Sequence, residues 1–286
     1  MNKEKIDIGF VILHYQTIDD TCNCLESIKK NIDTKLYKIV VVDNCSPNHT
    51  GVELIEKYKD NDSVHIIINQ TNYGFSKGNN IGYQYIKNNY DASFIAILNN
   101  DTTVCANLFE KLNKAYLDYD FYVLGPKIIN KDGKSVNPVR YDLISAKEVR
   151  KIINSYNIRR LMYYMNLTKL YYLLKNCFWK NKTTKEQDLN QINVQLNGSA
   201  LFFSIKYINE KDGFCELTFM YFEEDVLYYE CIKNGYKTLY YPDIVINHYE
   251  ESSTRYSKSK GYELFKIKEG KKSAKKLLKI IEEGKQ

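Results

Sequence analysis

Two acidic segments of this sequence could carry chemistry, Asn100-Asp101 and Glu223-Glu224-Asp225. Asn100-Asp101 closes an apolar run and offers one carboxylate and one amide. Mg2+ or Mn2+ binds through few protein oxygens and fills its shell with phosphate and water, so a single carboxylate can be enough. Such an ion acts as a Lewis acid that neutralises a departing diphosphate. The competing reading of Asp101 is a turn or helix-capping aspartate. Glu223-Glu224-Asp225 follows Phe219-Met220-Tyr221-Phe222. An aromatic setting raises a carboxylate's pKa and keeps it available for proton transfer, and adjacent carboxylates push each other's titrations apart. Here the competing reading is an acidic helix N-terminus favoured by the macrodipole. Gly74-Phe75-Ser76-Lys77-Gly78-Asn79-Asn80 opens a helix with small residues that let backbone approach a ligand closely. It has the spacing of neither the dinucleotide fingerprint nor the Walker loop.

Residues so far apart in the chain can cooperate only if the fold brings them to one edge. Through the first 130 residues short β-branched runs alternate with amphipathic stretches, the pattern of a parallel, doubly wound sheet. The runs predict strands at 6–13, 37–42, 64–68, 94–98 and 122–129, with helices at 19–30, 51–59, 77–87 and 107–117 between them. Ile39-Val40-Val41-Val42 has no polar alternation, which calls for a strand covered on both faces. Directly after the strands come His14-Tyr15-Gln16, Asp43-Asn44, Asn69 to Gly74, and Asn99-Asn100-Asp101. Ligands of open α/β sheets bind at the carboxyl ends of strands. Successive strands therefore deliver carboxylates, amides and an aromatic ring to one edge.

The chain has 286 residues, of which 44% are hydrophobic, enough for one α/β domain with an insertion and a tail, and too apolar to be disordered throughout. Its formal charge of +6 is unevenly spread: residues 139–190 hold eleven Lys/Arg against four acids, and residues 256–286 hold ten Lys against four Glu. Basic blocks of this kind attract an anionic surface, and the alternative is a solvated Lys-rich face. Within 139–190 the runs Leu161-Met162-Tyr163-Tyr164 and Leu170 to Leu174 suit a helix lying in a lipid interface, or else a helical subdomain packed on the core. The tail from Tyr262 reads as an amphipathic helix appended to the domain, with Leu264, Ile267, Leu277, Leu278 and Ile281 on its buried face. Seven scattered cysteines lack zinc-site spacing and read as reduced. No basic and apolar signal precedes the first strand, and no apolar run reaches the roughly 20 residues that span a bilayer. The expected location is the cytoplasm, peripheral at the inner face of the cell membrane. No base-reading motif is present, so nucleic acid is not an expected partner.

Taken in order, these segments resemble family 2 glycosyltransferases of the GT-A fold, especially the bacterial rhamnosyltransferase-like branch. The matching pieces are Val42-Asp43-Asn44-Cys45-Ser46, Asn72-Tyr73-Gly74-Phe75 with Gly78-Asn79-Asn80, Leu98-Asn99-Asn100-Asp101-Thr102, Asn197-Gly198-Ser199-Ala200, Phe219 to Asp225, and Gly235-Tyr236-Lys237 followed by His248. The resemblance covers residues 7–255. It implies a GT-A catalytic domain over 1–255, with a central mostly parallel sheet flanked by helices, the basic helical insertion 139–190, and a helical tail over 256–286. The implied reaction is inverting transfer of a sugar from a UDP- or dTDP-sugar donor to a hydroxyl of a glycan acceptor in bacterial surface polysaccharide synthesis. In related enzymes the acceptor is often lipid-linked.

The resemblance also implies roles for single residues. His14, Tyr15, Asp43, Asn72, Gly74, Asn80 and Asn100 would surround the donor nucleotide. Asp101 is the sole carboxylate left in the family's metal motif, and would hold Mg2+ or Mn2+ with His248, for which a structural role is the alternative. Asn197, Gly198 and Glu223 would line the donor sugar and acceptor. Glu224 is aligned with the catalytic base and Asp225 is its close rival. Two other function classes compete. A sugar-phosphate nucleotidyltransferase has a similar sheet but carries a Gly-rich, Arg-containing loop after its first strand, which His14-Tyr15-Gln16 does not supply. A non-catalytic membrane scaffold would use the basic segments, but has no need of Asp43, Asp101 and the acidic cluster.

Overall fold

The computed structural model describes residues 3–168, 172–173, 188–249 and 260–284. Four strands follow one another with helical crossovers: β1 (Glu4–His14), α1 (Ile18–Asn31), β2 (Tyr37–Asp43), α2 (Thr50–Tyr58), β3 (Val64–Ile68), α3 (Gly74–Asn89) and β4 (Tyr90–Asn99). The rest of the sheet comes from β5 (Thr102–Val104), β6 (Val123–Asn130), β7 (Gln191–Ile192), β8 (Ala200–Ser204) and β9 (Thr238–His248). Among the described residues these make one nine-stranded sheet in the order β3-β2-β1-β4-β8-β6-β9-β5, with β7 beside β9. Strands β3 to β4 pair in parallel, as expected. Beyond them β8 runs antiparallel to both its neighbours, and β6 and β9 return to parallel pairing.

Register fixes where the loops emerge. His14 stands opposite Asp43, and Leu13 opposite Asn99, so three strand ends open on one edge. Because β2 lies to one side of β1 and β4 to the other, that edge is the point where the winding reverses and a crevice forms. In β2, Ile39 and Val41 pack into a core with Leu25 and Leu54 of α1 and α2. Val40 and Val42 face the opposite core, which contains Tyr83 and Ile86 of α3. Burial on both faces explains the unbroken apolar run. Each such side chain taken from water contributes roughly 1.5–3 kcal/mol.

A third core forms between α5 (Ala146–Tyr164), α7 (Glu223–Asn234) and α8 (Lys260–Glu283), from Val149, Ile153, Val226, Ala274, Leu277 and Ile281. The start of α5 is set by a capping box, in which the Ser145 hydroxyl accepts from the Glu148 N–H at 3.2 Å and the Glu148 carboxylate accepts from the Ser145 N–H at 2.9 Å. Helices α5 and α8 run antiparallel, tied by Arg150 to Glu282 at one end and Arg159 to Glu263 at the other. The described tail is therefore not an appendage. Ile267, Leu277 and Ile281 are buried as expected, whereas Leu264 and Leu278 stay half-buried. Of the insertion, α5 is described in full. The expected run from Leu170 to Leu174 lies outside the described residues apart from Tyr172 and Leu173. Two shorter helices, α4 (Leu108–Tyr119) and α6 (Ile205–Glu210), complete the described set. No helix among the described residues is long and apolar enough to cross a membrane.

Candidate active site

A cavity of about 920 Å³ opens at the carboxyl edge of the sheet, the size of site that takes a small-molecule ligand. Its inner wall is made of strand ends: Leu13 near the end of β1 with Tyr15 and Gln16 after it, Asn44 after β2, and Asn99 at the end of β4 with Asn100 after it. Asn44 organises this wall. Its amide N–H2 donates to the Asn72 side-chain oxygen at 3.0 Å and to the Gly74 carbonyl at 3.0 Å, and its oxygen accepts from the Tyr73 N–H at 3.0 Å. Asn72 in turn accepts from the Gly74 N–H at 2.9 Å. These bonds hold Gly74 at φ +78°, with the place of a Cβ only 2.0 Å from the Phe219 carbonyl oxygen. Only glycine fits there.

Three expected nucleotide contacts do not border the cavity. His14 is fully buried, with Nδ1 2.7 Å from the Thr21 hydroxyl and Nε2 2.8 Å from that of Thr50. Burial pulls its pKa down to about 4 against the opposing pull of Asp43, so it is a neutral brace between α1 and α2. Asp43 is buried too, and its carboxylate accepts the N–H and the hydroxyl of Ser46. Asn80 turns to the far side of α3, where its amide donates to the Phe214 carbonyl and accepts from the Phe214 N–H, each at 2.8 Å. These polar side chains satisfy buried backbone and hydroxyl groups inside the fold, as burial requires. Tyr15, Asn72, Gly74 and Asn100 do line the cavity.

Asn100 sits on the wall with its N–H2 donating to the hydroxyls of Thr17 at 2.8 Å and Thr21 at 3.0 Å. Beside it Asp101, nearly buried, brings one carboxylate oxygen to 3.1 Å from Nε2 of His248, which reaches the cavity from the end of β9. Among the described residues no group of three His, Cys, Asp or Glu could hold a metal ion. Asp101 and His248 offer one carboxylate and one ring nitrogen. A divalent ion held by this pair must therefore complete its shell from ligand and water, a pattern natural to Mg2+ and Mn2+.

The same cavity is lined by Glu223, Glu224 and Asp225 in the first turn of α7. The Gly198 N–H donates to Glu224 Oε1 at 3.2 Å, which sets this carboxylate against the Asn197-Gly198-Ser199 segment. The carboxylates on either side of it are less acidic than usual. Burial, then the charge of Glu224, pushes Glu223 up to about 8, and the same causes push Asp225 up to about 6. Just before the helix, Tyr221 and Phe222 have φ of 73° and 70°. Left-handed backbone in such residues costs on the order of 1–3 kcal/mol each and persists only where surroundings enforce it. The segment just before them is held by α8, where the Ser273 hydroxyl donates to the Met220 carbonyl at 2.8 Å and the Lys276 ammonium donates to the Leu217 carbonyl at 2.6 Å.

Asn44 as an organiser, and Tyr262 and Phe265 of α8 as cavity wall, are additions to the residues expected. The strand-end motif Asp43-Asn44 does contain the first. The second had no signal beyond two aromatic residues three apart on a helix.

The model of the family described as "Glycosyl transferase family 2" matches residues 10–191. The hexosyltransferase Agl10 of low-salt glycan biosynthesis in Haloferax volcanii is 25% identical over 131 residues, 46% of this chain and 39% of that protein. GalNAc-T7, solved with UDP, GalNAc and Mn2+, superposes with a TM-score of 0.58 at 16% identity over 87% of this chain and 44% of that one. S. aureus TarS superposes with a TM-score of 0.54 at 15% identity over 85% of this chain and 37% of that one. The chain thus spans about two fifths of the length of these relatives. The fold of this chain is the GT-A fold that TarS and GalNAc-T7 share. A motif set in register, a cavity at the switch point of the sheet and a family match over most of the chain lead to one conclusion: the chain belongs to glycosyl transferase family 2.

Proposed function

We propose that this chain is an inverting glycosyltransferase that moves a hexosyl or rhamnosyl group from a UDP- or dTDP-sugar to a hydroxyl of a glycan acceptor in bacterial surface polysaccharide synthesis. One observation carries the reading: His248, paired with Asp101, and Glu224 border the same cavity, so a donor's diphosphate and an acceptor's hydroxyl can be held on opposite sides of one sugar. Tyr15, Asn72 and Asn100 receive the nucleotide. Asn197, Gly198 and Glu223 surround the sugar, and Glu223, protonated at neutral pH, can donate a hydrogen bond to it. Glu224 takes the proton of the acceptor hydroxyl as that oxygen bonds to the anomeric carbon. The nucleoside diphosphate departs from the other face, so the configuration inverts. Asp101 and His248 would hold Mg2+ or Mn2+, which as a Lewis acid neutralises the diphosphate. The Mn2+ and UDP bound to GalNAc-T7, and the hexosyltransferase name of the archaeal relative, agree with this donor class.

A lipid-linked acceptor and an anionic membrane surface belong to the same proposal. Ile158, Leu161 and Tyr164 of α5 and Met165 just after it are exposed, and Lys268, Lys272, Lys275 and Lys279 are exposed on α8. Exposed apolar residues on one helix and basic residues on its neighbour are of the kinds that favour the interface of an anionic bilayer. Phosphatidylglycerol vesicles should carry the protein in flotation. Combined Leu161→Glu and Met165→Glu should lower the bound fraction, and an unchanged fraction would remove the membrane from the proposal.

Incubating the protein with Mn2+ and a panel of nucleotide sugars tests the whole reading. A glycosyltransferase releases nucleoside diphosphate from at least one of them. A nucleotidyltransferase would instead need a sugar phosphate with a nucleoside triphosphate, and a scaffold would release nothing.

A further inference from the structure

We infer that the first turn of α8 is an acceptor subsite, in which Tyr262 and Phe265 form an aromatic platform for a pyranose ring of the acceptor. This rests on the reading of the cavity as a sugar-transfer site. It adds a wall beyond the residues that the family model matches, which end at residue 191.

Tyr262 and Phe265 stand three apart on one helix, so they share a side of it. Their rings lie nearly parallel, at 18° and 6.4 Å between centroids, Phe265 meets the Phe219 ring edge-on at 6.4 Å, and the Lys266 ammonium stands over one face of Tyr262, 4.7 Å from its centroid. Both rings are half-buried and line the cavity together with the acidic first turn of α7. The turn that carries them is fixed from outside. Glu263, between the two rings, accepts a fork from Arg159 at 2.6 and 2.7 Å and a third bond from the Tyr172 hydroxyl at 3.1 Å. Further along the helix, Ser273 and Lys276 grip the strained loop before Glu223. One helix thus fixes both the platform and the carboxylates.

The chemistry of that corner selects a saccharide over an acyl chain. A pyranose has a C–H face that is apolar and a rim of hydroxyls. Flat rings fit the face, and Glu223, Glu224 and Asn197 can bond to the rim. An acyl chain would bury those carboxyl groups against hydrocarbon and offer them no hydrogen-bond partner, which disfavours burial of polar groups. Aromatic rings bring large apolar area with little conformational entropy to lose. A sugar stacked on them would be held with its hydroxyl toward Glu224, so platform residues set which acceptor is used without touching the donor.

The test uses the full chain with Mn2+ and reads saturation-transfer NMR to methyl glycosides of glucose, galactose, mannose, rhamnose and N-acetylglucosamine, with and without UDP. The protein should saturate the ring C–H protons of at least one glycoside, and Phe265→Tyr should keep that contact. Tyr262→Leu and Phe265→Leu fill the space without a flat face, and each should weaken it roughly ten-fold. UDP binding is measured separately by calorimetry, so a protein that takes a glycoside but not UDP keeps the platform and loses the donor reading. Specifically labelled Tyr and Phe ring resonances, followed in the unsubstituted protein, give the same answer if a leucine variant unfolds: glycoside should shift those of Tyr262 and Phe265. No saturation of any glycoside, unmoved ring resonances, or undiminished contact in folded leucine variants would overturn the inference.

Discussion

Glu223 and Asp225 flank Glu224, yet both titrate far above the usual carboxylate range, near 8 and 6. The folded state therefore holds these protons more tightly than the unfolded chain does. Stability contributed in this way is present below the unfolded value near 4.5 and is lost as pH rises through the folded value near 8. Glu223→Gln removes the loss, so the variant should melt several degrees above the parent at pH 8.5 and show a flatter profile between pH 5 and 8. At ~1.4 kcal/mol per pKa unit and ~2–4 °C per kcal/mol, the gain is readable by thermal denaturation, and parallel profiles for the two proteins would contradict it. Glu224→Gln keeps shape and removes the proposed base, and transfer should fall by ~10²–10⁴ with folding intact. At this scale the sequence shows which residue types stand at strand ends, and it cannot show which way they turn. His14 and Asp43 sit at the expected places but face inward, to Thr21, Thr50 and Ser46. Asp101 and His248, 147 positions apart in sequence, come within 3.1 Å only because β5 pairs with β9.

Between elements, α3 closely approaches the loop before α7, where the Phe75 N–H donates to the Phe219 carbonyl at 2.8 Å. Gly74→Ala places a methyl against that carbonyl at a left-handed φ of +78°. Overpacking and backbone strain together should cost roughly 2–4 kcal/mol, and the displaced loop should carry Glu224 out of register and abolish transfer. Gly133→Ala is the control, with φ +73° and nothing within 4 Å of the new methyl, so only the backbone penalty of about 1–2 kcal/mol applies. Equal losses in melting temperature would refute the contact. The β1 to β4 half of the sheet was legible because buried parallel strands write continuous apolar runs and their helices write a 3.6-residue period. Strands β8 and β9 pair across long stretches of chain, and no local pattern records that β8 runs antiparallel to β4. The solvent-facing lysines of α8 were likewise readable, but its role as a clamp depends on Ser273 and Lys276 meeting carbonyls some 55 residues earlier.

For the molecule as a whole, α8 closes the third core and holds the strained loop, so ending the chain at residue 255 would expose Val149, Ile153 and Val226. Such a truncated chain should lose transfer and bind hydrophobic dyes, and a truncated chain with full turnover would show that the carboxylate wall stands without its clamp. In the proposed reaction one cavity separates two tasks, leaving-group stabilisation at Asp101 with His248 and proton removal at Glu224. Parallel measurement of UDP affinity in Mn2+ and of sugar transfer in Asp101→Ala and Glu224→Gln tests that division directly. Asp101→Ala should lose the Mn2+-dependent part of UDP binding together with turnover, whereas Glu224→Gln should bind UDP as the parent does and fail to transfer. Full turnover in either variant, or equal loss of UDP affinity in both, would contradict the account.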